Sequence, residues 1–227
     1  MSIRVVAGEI DAMDATTRAV IPTAMQGRWP PFERVAETIA TPRRRFPVHR
    51  HEGVEVLTYV IEGSGSYEFE SRAPDLVATG STQLLTAPAA VSHVINPGKG
   101  QTIRWLAVIA ALPAGKATEP RLQSSGGVES GVQPDGTIVR AVVGPGTKIQ
   151  SAVGLKAESI QFVEEGTSFR KIGHDAIAVC YAMGGTGRID NLPLEGGEAA
   201  LVDESSGVAI QGDIGFRLVL LRVPRGP

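Results

Sequence analysis

Phe46-Pro47-Val48-His49-Arg50-His51-Glu52-Gly53-Val54-Glu55-Val56-Leu57-Thr58-Tyr59-Val60-Ile61-Glu62-Gly63 is the stretch of this 227-residue chain whose reading decides its fold. From Val54 to Glu62 it is rich in β-branched and apolar residues and stops at a glycine, the signature of a buried strand running into a turn. Ahead of that strand stand two imidazoles one residue apart, in a chain with only four histidines. Side chains alternate between the faces of a strand, so His49 and His51 project to the same side if Phe46–His51 is extended. Two imidazoles on one side are the beginning of a chelate.

The same texture extends outward in both directions. Glycine and proline, 27 and 15 residues, punctuate short β-branched runs along the whole chain. Strands are expected at Ile3–Ala7, Phe46–His51, Val54–Glu62, Ser66–Glu70, Thr82–Thr86, Val91–Ile95 and Thr102–Ile109. They resume at Thr137–Val143, Ser159–Val163, Ala176–Met183, Ala199–Val202, Gly207–Ile210 and Phe216–Val223. The single candidate for a short helix is Ile10–Val20. Between the two series, Pro113–Gly136 is rich in Gly, Ser and Pro and poor in large apolar residues, and it reads as a linker. The chain is thus expected to be all-β, with domains at 1–120 and 121–227.

The two series echo each other. Tyr59-Val-Ile-Glu-Gly63-Ser-Gly65 returns as Tyr181-Ala-Met-Gly-Gly185-Thr-Gly187, and Gly80 to Val91 returns as Gly197 to Val208. Two echoes in the same order point to an internal duplication. At the first echo's offset His49 falls on Lys171 and His51 on Gly173; at the second, His93 falls on Ile210. The second copy therefore lacks these imidazoles, and folding does not require them. In the first copy, His93 in the strand Val91–Ile95 supplies a third candidate ligand, since neutral imidazole is the commonest ligand for first-row transition metals. His174 stands alone and reads as a surface residue. Tyr59 and Tyr181, present in both copies, read as packing residues, and Gly63 and Gly65 as turn residues with positive φ.

Composition narrows the function classes. A net charge of −2 with 20% charged residues gives no electrostatic footprint for nucleic acid. The one dense basic run, Arg43-Arg44-Arg45, reads as a solvated segment. No apolar run approaches the about 18 residues a membrane helix needs, and the N-terminal segment lacks the pattern of a secretory signal, so a cytoplasmic location is expected. The lone Cys180 lies in an apolar run and reads as a buried thiol without a redox role.

The Phe46–Gly63 phrase resembles the first metal motif of the pirin family of the cupin superfamily. Gly80 to His93, with Gln83, resembles the second, and the seven residues between Gly80 and Pro88 suit pirins better than the shorter spacing of ordinary cupins. The resemblance implies a bicupin: two tandem antiparallel jelly-roll barrels related by duplication, the first holding one divalent transition metal, usually iron, through His49, His51 and His93. It also implies a departure, because the family's fourth ligand is a glutamate at the position of Ile95. Without that carboxylate the site favours iron less, and zinc, nickel or copper become alternatives. Glu55 and Glu52 are the carboxylates within reach in sequence, as ligand or as proton acceptor. Relatives of this kind resemble quercetin 2,3-dioxygenases acting on small aromatic, enediol-type substrates. Others resemble metal-dependent regulators that bind a protein partner, and a metal-free degenerate scaffold is the third reading.

Overall fold

A computed structural model describes residues 2–10, 17–22, 29–42, 46–70, 72–126, 128–129 and 131–225. Every regular element among them is a β-strand, and all the strand pairings are antiparallel. By its internal contacts the chain divides into two units: residues 9–127 with 151–153, and residues 1–8 with 128–150 and 154–227.

The first unit carries a large sheet ordered Arg121–Ser125, Thr82–Ala87, Val54–Phe69, Ile103–Ala111, Phe32–Ala40, Thr17–Ile21, Glu9–Ile10. The strand Val54–Phe69 is the hinge of this unit. Its first eight residues are buried without alternation, as a strand covered on both faces requires. Its register against Ile103–Ala111 then slips at Ile61, and this bulge bends the strand so that its far end pairs with Asp75–Ala78 and Val91–Pro97. The short strand His49–His51 joins the outer side of Val91–Pro97. Two glycines make the bend sterically feasible. Gly63 has φ +88, and a Cβ on it would stand 2.1 Å from the Thr102 carbonyl oxygen; Gly65 keeps negative φ but lies as close to the Asn96 carbonyl. The positive φ expected at both glycines is found at Gly63 alone; Gly65 is strand backbone and serves close backbone approach, not a left-handed turn.

The second unit repeats this order: Ser2–Ala7, Glu198–Asp203, Ala176–Gly184, Arg217–Pro224, Lys156–Phe162, Thr137–Val143, Val128–Glu129 in one sheet, and Gly166–Lys171, Gly207–Gly212, Thr186–Ile189, Leu192–Glu195 in the other. Strand for strand this is the first unit again, the duplicated jelly-roll arrangement of a bicupin. Each unit has its own apolar core, around Val56, Tyr67, Leu85 and Trp105 in one and Phe162, Cys180, Phe216 and Leu220 in the other.

The edge strands depart from expectation. Ser2–Ala7 leads the first copy yet pairs with Glu198–Asp203, and Arg121–Ser125 leads the second copy yet pairs with Thr82–Ala87. The copies exchange their leading strands, so the division does not fall at a single cut between 120 and 121. The presumed linker is correspondingly structured at Arg121–Ser125 and Val128–Glu129, because backbone pairing at a sheet edge does not need large apolar side chains. Of the candidate helix, Glu9–Ile10 and Thr17–Ile21 are strands, and residues 11–16 lie outside the described ones. The Arg43-Arg44-Arg45 run also lies outside them.

Candidate metal centre

Strand pairing assembles the histidines. His49 is the direct cross-strand partner of His93, and His51 is the partner of Val91, so all three imidazoles project from one face of a two-strand ladder. Their ring centroids lie 4.9 Å apart for His51 and His93, 5.9 Å for His49 and His93, and 6.3 Å for His49 and His51. Aromatic side chains enclose them: Phe46 lies 6.2 Å from His49 and meets Trp105 edge-on, and Tyr67 stacks on His93 at 5.2 Å.

This environment holds the His93 and His51 imidazoles neutral. Burial, reinforced by the neighbouring His51 and His49, pushes His93 down to about 3, and burial with His49 beside it lowers His51. Neutral imidazole is the form that ligates a metal. Both ring nitrogens of His93 are buried, and neither has a hydrogen-bond partner. A buried imidazole with two unsatisfied nitrogens suits a ligand supplied from outside the chain. As the rings stand, no group of three or more His, Cys, Asp or Glu among the described residues has the spacing of a metal site. Nitrogens about 2.1 Å from one ion need the wider separations, those involving His49, to close by side-chain rotation.

The two glutamates fall elsewhere. Glu55 is 1% exposed, and its carboxylate accepts hydrogen bonds from the Thr86 hydroxyl at 2.8 Å, the Ser151 hydroxyl at 2.5 Å and the backbone N–H groups of Ala152 and Val153 at 2.9 and 3.4 Å. It points away from Val54 and Val56, whose face carries the core shared with Tyr67 and Phe46. The alternation that would have set Glu55 beside the histidines is reset at Gly53, which is outside the strands with φ +69. Glu55 thus anchors residues 151–153. Glu52 is exposed at the end of the His49–His51 strand, and His174 is exposed in the other unit. Ile95 is buried on the same face as His93 and pairs directly with Tyr67.

Sequence reasoning passed over Tyr67, although its strand parity with Phe69, the partner of His93, was there to be read. It also misplaced the counterparts of the histidines. Register against Gly207–Gly212 sets Ser168 opposite Ile210 and Arg170 opposite Val208, so His49 and His51 correspond to Ser168 and Arg170, not to Lys171 and Gly173. The second copy spends five residues, Lys171–Asp175, where Glu52-Gly53 suffices in the first, and the offset shifts accordingly.

Residues 4–106 match the Pirin family model. A protein of Pasteurella multocida (strain Pm70), whose name assigns it provisionally to the quercetin 2,3-dioxygenases, is 29% identical over 90 residues, 39% of this chain and 38% of that protein's length. Among solved structures, a Geobacillus kaustophilus protein superposes with a TM-score of 0.82 at 23% identity, covering 99% of this chain and 96% of the other. Quercetin 2,3-dioxygenase from Acinetobacter baumannii gives 0.80 at 17% identity over 98% and 79%. The Escherichia coli pirin YhhW in complex with nickel(II) gives 0.77 at 15% identity over 99% and 100%. At these identities the structures establish the fold. Residues 4–106 thus resemble the pirin family in sequence, and nearly the whole chain shares the fold of solved structures that include a pirin.

Proposed function

We propose that this chain binds one divalent transition metal through His49, His51 and His93 and acts as a quercetin 2,3-dioxygenase-type oxygenase on a small aromatic, enediol-type substrate. The observation that carries this reading is His93: a buried, neutral imidazole whose two nitrogens find no hydrogen-bond partner among the described residues, facing two further imidazoles. When bound, the metal would bring an oxygenatable substrate and oxygen together and lower the barrier to their reaction. The chain's own part is narrower. The three imidazoles supply the ligand set, Phe46, Trp105 and Tyr67 keep water from its inner side, and Ile95 adds an apolar wall. We assign the substrate's hydroxyl proton to Glu52, the exposed carboxylate next to His51 in sequence, and not to Glu55, whose carboxylate already accepts four hydrogen bonds.

The relatives support this reading, since one solved pirin holds nickel(II) and two relatives bear quercetin dioxygenase names. The test is metal analysis after reconstitution with iron, nickel, cobalt or copper, followed by aerobic incubation with quercetin. About one equivalent of metal, oxygen uptake and loss of the long-wavelength absorbance are expected. Metal uptake without oxygen consumption under any of the four would instead support a metal-dependent binding protein, the reading that the apolar Ile95 favours because it leaves the metal's charge uncompensated. Protein that takes up no metal would refute both.

A further inference from the structure

Tyr67 is 1% exposed, and its hydroxyl is buried without a hydrogen-bond partner. Its ring lies nearly parallel to that of His93, at 5.2 Å and 23°. In register it stands directly across from Ile95, while Phe69, two residues on, stands across from His93. Strand parity therefore projects Tyr67, Phe69, His93 and Ile95 to one face, the face of the three imidazoles. A buried tyrosine hydroxyl ordinarily finds a partner; in the ladder this one stands between Ile95 and Asp75, and the Asp75 carboxylate, which accepts from the Ser124 hydroxyl at 3.1 Å, makes no hydrogen bond with it.

The second unit shows that the fold does not demand a polar group there. In the second unit the matching strand pair sets Gly187 opposite Gly212 and Ile189 opposite Ile210, none of them polar. A Cβ on Gly187 would stand 2.5 Å from the Phe216 ring, and one on Gly212 would stand 2.5 Å from the Phe162 ring. Where the first unit keeps an unpaired hydroxyl, the second is closed by two phenylalanines.

We propose that the Tyr67 hydroxyl donates a hydrogen bond to the small exogenous ligand that the three-histidine centre takes up, a ligand with an anionic or lone-pair oxygen or nitrogen. This inference rests on the metal reading above. It gives the site a polar contact on the side that Ile95 leaves apolar, and it makes ligand capture depend on a neutral donor.

The test uses the full chain loaded with copper(II), with azide as the probe followed by its charge-transfer absorbance. Tyr67→Phe keeps the ring that stacks on His93, so folding and copper affinity, measured by competition with a chelator, are expected to stay within twofold of the parent. Azide affinity is expected to fall about tenfold or more. Azide binding should also perturb the tyrosine near-ultraviolet difference spectrum in the parent, and this perturbation should vanish in the variant. Azide affinity within twofold of the parent overturns the proposal, as does parent protein that holds copper but binds no azide. A Tyr67→Phe variant that loses copper together with azide overturns it too, because the hydroxyl then serves the metal. Parent protein that takes up no copper refutes the metal reading itself, an outcome that chelator competition distinguishes from the others.

Discussion

The two units of this chain share one strand order and solve the same interior differently. In the first, the ladder of His49–His51 against Val91–Pro97 carries three imidazoles, and buried polar atoms on His93 and Tyr67 are left without partners. In the second, the matching ladder carries Ser168, Arg170 and Ile210. There the Ser168 hydroxyl donates to Asp135 at 2.6 Å, Thr137 donates to the same carboxylate through its hydroxyl and N–H, and Arg170 faces it at 3.9 Å. In the second ladder the serine hydroxyl and its carboxylate are paired within the unit, with Arg170 Nε left over; in the first, both nitrogens of an imidazole and a tyrosine hydroxyl are open among the described residues. Because an unsatisfied buried polar group is costly, the open set is the one that identifies a binding site.

Five substitutions would break or sharpen that contrast. The largest effect is expected at the matched pair His93→Ala and Ile210→Ala. The first should weaken metal binding by at least about 100-fold. The second should leave metal binding unchanged and destabilise its unit by about 2–5 kcal/mol through the cavity it creates. Metal titration and chemical denaturation of both variants separate the roles, and equal metal loss in the two would erase the contrast. Next, Ile95→Glu supplies an anionic group beside His93 and should tighten iron binding by about tenfold, roughly 1.4 kcal/mol by the equilibrium relation. The metal-free variant should melt below the parent, since an unpaired buried carboxylate opposes folding. Unchanged iron affinity in a calorimetric titration would show that Ile95 does not govern the site.

Glu55→Gln tests the assignment of that carboxylate to structure. Loss of about 1–3 kcal/mol in denaturant unfolding is expected, with metal affinity within twofold of the parent. A variant of native stability that loses metal would return Glu55 to the centre. The smallest effect belongs to Asp135→Asn in the second unit, about 1–2 kcal/mol at neutral pH. Burial would raise the Asp135 carboxyl, but the hydrogen bonds from Ser168 and Thr137 and the charge of Arg170 hold it below its ordinary value. The stability it contributes is therefore fully present above the ordinary carboxylate pKa of about 3.9 and is lost as pH falls through the lowered folded value. Melting curves of parent and variant should converge in that acid range and separate above it.

Much of the site was legible before the structure because it depends on strand parity. His49 and His51 two residues apart, and His93 inside a short β-branched run, project as parity requires once their strands pair. Glu55 was harder to place, because Gly53 resets the alternation between the histidine strand and the next one. The partners of Glu55, Ser151 to Val153, lie almost a hundred residues away and carry no local signal. The same limitation explains the misjudged second copy: a three-residue difference in one connection is invisible to a constant offset, and only hydrogen-bond register fixes which residue faces which.

By itself the sequence determined that the chain is all-β, that it is duplicated, that it is a pirin-like bicupin and that three histidines are confined to one copy. The strands, the duplication and the placing of the histidines follow from periodicity, punctuation and repetition, and the bicupin reading follows from the resemblance of Phe46–Gly63 and Gly80–His93 to pirin motifs; all of these are properties of neighbouring residues. Only the tertiary structure decided that the leading strands are exchanged between copies, that Glu55 is committed to a distant backbone and that Tyr67 and His93 hold buried atoms without partners. Those depend on which edges pair and which polar groups are satisfied, and such long-range pairings are set by the packing of the whole chain.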